Sequence, residues 1–463
     1  MQAAVAAGHP ATVEAGIDIL ADGGSAADAA VAASLASCVA ETVMTGLLGG
    51  GHAIYWDAGA RQARNLDCFV AVPGLGAEPH GSELLRLAVP FGAELVHYAV
   101  GPASCGVPGV PAGLDALWRA HGRLPWPRLV EPALRLARDG VDMTTAQATC
   151  LAMLEPVMTM DSGLRIYAPE GRLLAPGDRL RQPGLVTALE ALAEEGAGTA
   201  YRGTLADALL NLCAARGGLV TRQDLDGYRA RWCEPVGLDW REWRVETRAG
   251  LSGVPEALIR LPGLARLREP ERLVALVEAL APCRPGTSSH TTNLVTVDPT
   301  GDTCVLTTSL GLGSGDWLPG LDLHLNSMLG EVDLARGPLA PGSRMDSMMA
   351  PTLAFDRDGQ LACAAGAAGG TRLRTALVGV LAGVLDEGVT PAQAIERPRC
   401  HPAGTTVHAE PGVDEDGLEQ LTRRGWAVRR WDAPHHYFGG VSAVSGSEAA
   451  SDPRRSGAAR VLR

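Results

Sequence analysis

The stretch from His290 to Ser309 constrains the fold more than any other. His290-Thr291-Thr292-Asn293-Leu294-Val295-Thr296-Val297-Asp298 and Thr303-Cys304-Val305-Leu306-Thr307-Thr308-Ser309 are runs of β-branched and apolar residues. Between them lies Pro299-Thr300-Gly301-Asp302, which is turn chemistry. The pattern predicts a β-hairpin with both faces covered. A turn centred on Thr300-Gly301 sets Thr291 beside Leu310 and within one residue of Ser309. Two hydroxyl-bearing residues then meet at one end of a buried hairpin. Taken alone, Thr291 and Thr292 are also what any strand of good β-propensity contains.

The chain around this hairpin has 463 residues, of which 46% are hydrophobic, enough for one large core. A net charge of −12 argues against a nucleic-acid partner. Every basic residue is Arg, which removes Lys as a catalytic base or Schiff-base former and suggests a GC-rich genome. The ten Cys are scattered, with no C-x-x-C pair or metal-ligand spacing, and read as reduced thiols of a cytosolic protein. His435-His436 has no third ligand at suitable spacing, so no metal is expected. No run approaches eighteen apolar residues, so no membrane span is expected. The N-terminus lacks a basic region followed by an apolar run, so the expectation is no signal peptide and a cytoplasmic location.

Upstream, Thr12 to Leu20 carries apolar residues at helical spacing and stops at Asp22-Gly23-Gly24. Ser25 can cap a second helix, with Asp28 completing an approximate capping box. Ala26 to Ala40 is almost all small residues, which predicts a buried helix lying close on a sheet. The glycines of Thr45-Gly46-Leu47-Leu48-Gly49-Gly50-Gly51 predict close backbone approach. A phosphate-loop reading lacks the Gly-Lys-Ser/Thr that should follow. Ala257 to Leu280 reads as helical, and Pro282, Pro285, Gly286 and Ser288-Ser289 as a loop before Thr291.

His9-Pro10, Gly23-Gly24-Ser25-Ala26-Ala27-Asp28, Val107-Pro108-Gly109-Val110-Pro111-Ala112-Gly113, Glu131-Pro132-Ala133, the Thr291-Thr292 pair, Gly369-Gly370-Thr371 and Ser451-Asp452-Pro453 follow one another in a specific order. In that order the chain resembles the γ-glutamyltransferase family of N-terminal nucleophile hydrolases, over nearly its whole length. The resemblance implies an α/β (α+β) fold, the four-layer αββα sandwich. It also implies self-cleavage before Thr291, giving a 1–290 large-subunit segment and a 291–463 small-subunit segment that together form one structural domain. Thr291 would then be the nucleophile. Its freed α-amine, with a pKa of about 7.7–8.0 in short peptides, would be the base on the same residue. Ser309 takes the place of the family's helper hydroxyl, and Gly369-Gly370 that of its backbone oxyanion hole. No cofactor is implied. The partners implied are a small-molecule substrate and the other self-cleaved fragment, with further dimerisation left open.

The substrate side departs from the family pattern. Leu66-Asp67-Cys68-Phe69 puts Phe69 where an Arg holds the glutamyl α-carboxylate, and a ring cannot replace an Arg–carboxylate fork. The family's paired serines are Ser347 and Met348, its Asn is Gly311 and its Gln is Met328. The acid for the α-amine survives as Glu331, and Arg344 or Arg372 are candidate replacement cations, Arg372 more readily structural. The segment between Glu331 and Ser347 is short, implying a reduced lid and an open cleft. Three readings stay open: an amide hydrolase or transferase with a divergent acyl group, a C–C bond hydrolase of a keto acid like some relatives in actinobacterial antibiotic pathways, and an unprocessed non-catalytic homologue.

Overall fold

A computed structural model describes residues 2–77, 84–91, 94–283, 290–331, 333–334 and 338–462. Most of the loop expected ahead of Thr291 (284–289) and part of the segment after Glu331 lie outside the described residues.

Two antiparallel sheets stack face to face. The first has seven strands in the order Ala458–Val461, Ala4–Ala7, His290–Val297, Thr303–Gly311, Gly50–Asp57, Gln62–Cys68, Arg231–Cys233. The second has six, in the order Glu448–Ser451, Gly440–Ser445, Leu361–Ala368, Thr352–Phe355, Trp243–Thr247, Val236–Trp240. Side-chain alternation along the strands divides the core. Ala4, Ala6, Val295 and Val305 point inward, against Leu353, Ala364 and Val444 of the other sheet. Val5, Ala7, Leu294 and Leu306 point outward, under the helices Pro10–Ala21, Ala26–Ala40 and Trp126–Asp139. The helices Val254–Arg260, Arg372–Leu385 and Pro391–Glu396 cover the far face of the second sheet. This is the expected αββα sandwich. Both sheets contain strands from either side of Thr291, so each segment completes the other's core.

The N-terminal expectations hold, but Ala257 to Leu280 is two helices, Val254–Arg260 and Glu269–Leu280, broken at Leu261-Pro262-Gly263. All 15 residues of Ala26–Ala40 are buried, because a face of Ala and Ser lets the helix lie directly on the sheet. Its capping box forms: Ser25 Oγ accepts from Asp28 N at 3.1 Å and Asp28 Oδ2 from Ser25 N at 2.9 Å, worth about 1 kcal/mol in such helices. The glycine run packs against the strand that carries Ser309. A Cβ on Gly49 would sit 2.3 Å from the Ser309 carbonyl oxygen, so the glycines make room for backbone and not for a phosphate.

The hairpin forms with a corrected register. Thr292 to Val297 pair with Thr308 to Thr303, which places Thr300, not the Thr300-Gly301 bond, at the apex. Asp298 fixes this longer turn: its Oδ1 accepts from the amides of Thr300 and Asp302 at 2.8 and 3.1 Å. His290 nevertheless pairs with Gly311, so the register shifts by one between His290 and Thr292. Ser309 and Leu310 form that bulge, and Thr291 is the single residue opposite them. A bulge bends a strand and re-aims a side chain.

Candidate active site

Thr291 lies where two cavities meet. On one side is a cavity of about 380 Å³ lined by Phe69, Thr291, Ser309, Met328, Glu331, Leu334, Ser347, Met348, Met349, Gly370 and Leu373. Eight of the ten residues singled out in the sequence are among these. Gly311 and Gly369 line it less directly, through contacts with its members.

Ser309 ends the strand beside Thr291. Its hydroxyl oxygen accepts from Gly311 N at 2.9 Å, leaving its proton to be donated elsewhere. Gly369 and Gly370 join the Leu361–Ala368 strand to the 14-residue Arg372–Leu385 helix. They adopt φ of +126° and +57°, and a Cβ on Gly369 would lie 2.9 Å from the Gly439 Cα. The positive φ disfavours a side chain at both, and the Gly439 contact leaves no room for one at Gly369. The N-terminal end of a helix, with backbone N–H groups beside the cavity at Thr291, suits a developing oxyanion.

The acyl side is different in character. Phe69 follows directly on a sheet strand, fully buried and stacked on His52 at 5.4 Å. Its carbonyl accepts from Tyr228 Oη at 2.6 Å and Arg344 Nη1 at 2.8 Å. Arg344 also donates to the Arg229 carbonyl at 2.6 Å, pairs with Asp67 at 3.4 Å and lies over the Tyr228 ring at 4.4 Å. It therefore builds the wall behind Phe69 and does not line the cavity. Arg372 lies buried over the Tyr437 ring at 4.4 Å, as a structural cation. Neither supplies the replacement cation considered from the sequence. Ser347 Oγ accepts from Met349 N at 3.2 Å, and its carbonyl accepts from Arg248 Nη1 at 2.9 Å.

Among the described residues lining this cavity, Glu331 carries the one carboxyl group. It is 2% exposed, and its Oε1 has no hydrogen-bond partner among the described residues. Burial, with the Asp333 charge adding to it, pushes its carboxyl up to about 8. Gly311, at φ +71°, explains the approach: a Cβ there would fall 2.6 Å from Glu331 Oε1 and 2.8 Å from Ser327 Oγ. An Asn at this position would displace the acid.

On the other side of Thr291, a cavity of about 360 Å³ is lined by Glu41, Met44, Gln147, Thr292, Asp452, Arg455 and neighbours. The sequence analysis assigned none of these. Arg455 is partly buried and its Nη1 donates to the Thr291 carbonyl at 3.2 Å. Glu41 accepts from Thr292 Oγ1 at 2.5 Å and from Thr12 Oγ1 at 2.8 Å. Burial raises the Glu41 carboxyl above its usual range, against the opposing effect of these two hydroxyl donors. Together Glu41 and Arg455 grip the side chain and backbone of the strand on either side of the bulge. Arg455 belongs to the Ser451-Asp452-Pro453 block already quoted, a signal that could have found it; Glu41 has no such local signal. Leu334, Met349 and Leu373 were also missed. His435 serves locally: its Nδ1 accepts from Tyr437 N at 3.1 Å.

A hydroxyl opposite a strand bulge, a second hydroxyl within that bulge and a glycine pair at a helix start, all on an αββα sandwich, define the class as an N-terminal nucleophile hydrolase fold. Within that class the chain belongs to the gamma-glutamyltranspeptidase family, whose sequence model matches residues 12–283 and 275–462. It is 28% identical to the acylase ACY 1 proenzyme of Pseudomonas sp. (strain V22), an alignment spanning 95% of this chain and 89% of that protein. It is 26% identical to the glutathione hydrolase proenzyme of Pseudomonas aeruginosa, over 99% of this chain and 94% of that one. In structure it resembles cephalosporin acylase from Bacillus halodurans, with a TM-score of 0.84 at 23% identity, covering 100% of this chain and 96% of the other. Such relatives are enzymes, and this chain is an enzyme of their family. Among the described residues, no helix is long and apolar enough to cross a membrane.

Proposed function

We propose that the protein is a self-processing acylase of this family, cut between His290 and Thr291 and acting on an amide whose acyl group is not a conventional γ-glutamyl. Thr291 is the nucleophile and its α-amine the base. Ser309 hydrogen-bonds the nucleophile, and the Gly369-Gly370 backbone stabilises the tetrahedral oxyanion. Glu331, Ser347, Phe69, Gly311, Met328 and Met348 form the acyl subsite. The 1–290 and 291–463 segments remain associated after cleavage, since each carries strands of both sheets. The observation that carries this reading is the convergence of Thr291, Ser309, Gly370 and five acyl-side residues on one cavity, although they come from four separate stretches of chain. A denaturing gel tests it: wild type is expected as two fragments and Thr291→Ala as one band. A single wild-type band would refute self-processing.

A second reading keeps the same machinery and changes the bond to C–C, next to a keto acid. What favours it is the absence, among the described residues lining the cavity, of any Arg to hold a glutamyl carboxylate. Turnover of acyl anilides against turnover of keto acids separates the two.

A further inference from the structure

We propose that the acyl group taken by this pocket carries an amine at its far end and no carboxylate, so that the preferred donors are ω-aminoacyl amides with a short apolar chain. This rests on Thr291 being the nucleophile, and it names the substrate class of that site.

The far wall decides it. Glu331 Oε1 is buried against the cavity with no protein donor among the described residues, an acceptor awaiting a donor from a ligand. Asp333 adds a second negative charge to its surroundings. The described lining residues include no Arg. The nearby Arg344 is taken up by the Phe69 and Arg229 carbonyls and by Asp67, and Arg248 Nη1 donates to the Ser347 carbonyl. Among the described residues, a terminal carboxylate, as in a glutaryl or glutamyl group, would find no counter-ion and would meet like charge, which is costly. An ammonium meets the opposite field. It can donate to Glu331 Oε1, which also lets that carboxyl ionise despite its burial. The Phe69 ring in the same wall attracts cations and not anions.

The rest of the cavity fixes the chain. Met328, Leu334, Met348, Met349 and Leu373 present methylene and thioether surface between Thr291 and Glu331. Unbranched Met side chains adapt to an alkyl chain and offer it only weak hydrogen bonding. Gly311 keeps the floor clear, since any side chain there would overlap Glu331 Oε1.

The test is kcat/KM of the processed wild-type enzyme on five p-nitroanilides at pH 7: 4-aminobutyryl, 5-aminopentanoyl, pentanoyl, glutaryl and γ-glutamyl. An aminoacyl anilide should exceed pentanoyl by at least about tenfold and glutaryl by at least about a hundredfold, the scale expected of one buried charge-assisted pair against one unpaired buried charge. In Glu331→Gln the preference for 5-aminopentanoyl over pentanoyl should collapse toward one, through KM. Faster turnover of glutaryl or γ-glutamyl, or equal turnover of 5-aminopentanoyl and pentanoyl, overturns the proposal. Failure of the nucleophile reading has its own signature: an uncut chain and no turnover of any anilide. In that event calorimetry decides, with 5-aminopentanamide expected to bind more tightly than glutaramic acid or pentanamide. Tighter or equal binding of either of those two overturns the proposal.

Discussion

The two walls that face each other across the cavity at Thr291 are built from different materials. The reaction wall is backbone and hydroxyl: a strand bulge, Ser309 and two glycines at positive φ, the first of which has no room for a Cβ. Its chemistry is fixed by main-chain geometry, which tolerates little change. The acyl wall is side chain: Phe69, three Met, two Leu, Ser347 and a single carboxyl. Side chains can be exchanged without moving a strand. A family of enzymes can therefore hold its reaction constant while its specificity drifts, and here the drift runs from polar anchors to thioether and ring surface.

The largest expected effect breaks the reaction wall. Thr291→Ala should abolish both cleavage and turnover, a loss of at least about 10³-fold measured on any anilide that wild type accepts. Next comes Gly370→Ala, made in a chain that still processes. The new Cβ, at φ +57°, should shift the backbone N–H away from the oxyanion and lower kcat by up to about 10²- to 10³-fold with little change in KM, the scale of losing one oxyanion donor.

The back of the nucleophile ranks third. Arg455→Met removes the donor to the Thr291 carbonyl and leaves Glu41 facing a less positive cavity. Turnover should fall by about 10- to 100-fold, the scale of a mispositioned reacting group. Because a cation near the new N-terminus disfavours its ammonium form, the acidic limb of the pH–kcat profile should also move upward. A fall in rate with the limb unmoved would assign Arg455 to positioning alone.

Stability against pH probes the acyl wall without any substrate. The Glu331 carboxyl titrates at about 8 in the folded chain, well above its value of 4.5 when exposed. Between those two points the folded state holds a proton that the unfolded state has released, so stability falls as pH rises. Glu331→Gln removes this dependence. Its thermal midpoint should gain on wild type from pH 5 to pH 8, by the equivalent of a few kcal/mol, roughly. Parallel melting curves for the two proteins would mean that Glu331 is solvated.

The smallest effect sharpens the comparison from the other direction. Phe69→Arg restores a cation where the family has one and should raise γ-glutamyl anilide turnover severalfold, up to about tenfold. The gain is limited because Arg344 and Arg248 already occupy that side and Met348 still lacks a hydroxyl. Loss of the buried ring should lower thermal stability at the same time. Unchanged γ-glutamyl turnover in a folded variant would mean that the missing clamp is not what sets specificity.

Local signals were legible in the sequence and tertiary ones were not. The hairpin, the Ala-rich helix and the Ser25–Asp28 box follow from periodicity and short-range hydrogen bonding, and all formed. The exact register did not follow, because the Asp298 side chain lengthens the turn and the bulge at Thr291 re-phases the strand. Ordered motifs located the cavity's polar and glycine positions. Glu41 stayed hidden because it reaches Thr292 from 251 residues away in a segment with no motif of its own, whereas Arg455, 164 residues from Thr291, adjoins the Ser451-Asp452-Pro453 block, which does not reveal what it touches. Arg344 looked available in the sequence because nothing local reveals that two carbonyls, an Asp and a Tyr ring already engage it.

The central claim concerns one peptide bond, and intact mass of an active preparation reads it directly. The account predicts two polypeptides, the smaller with the mass of residues 291–463 and Thr291 at its N-terminus. A single undivided chain in a sample that turns over substrate would contradict it.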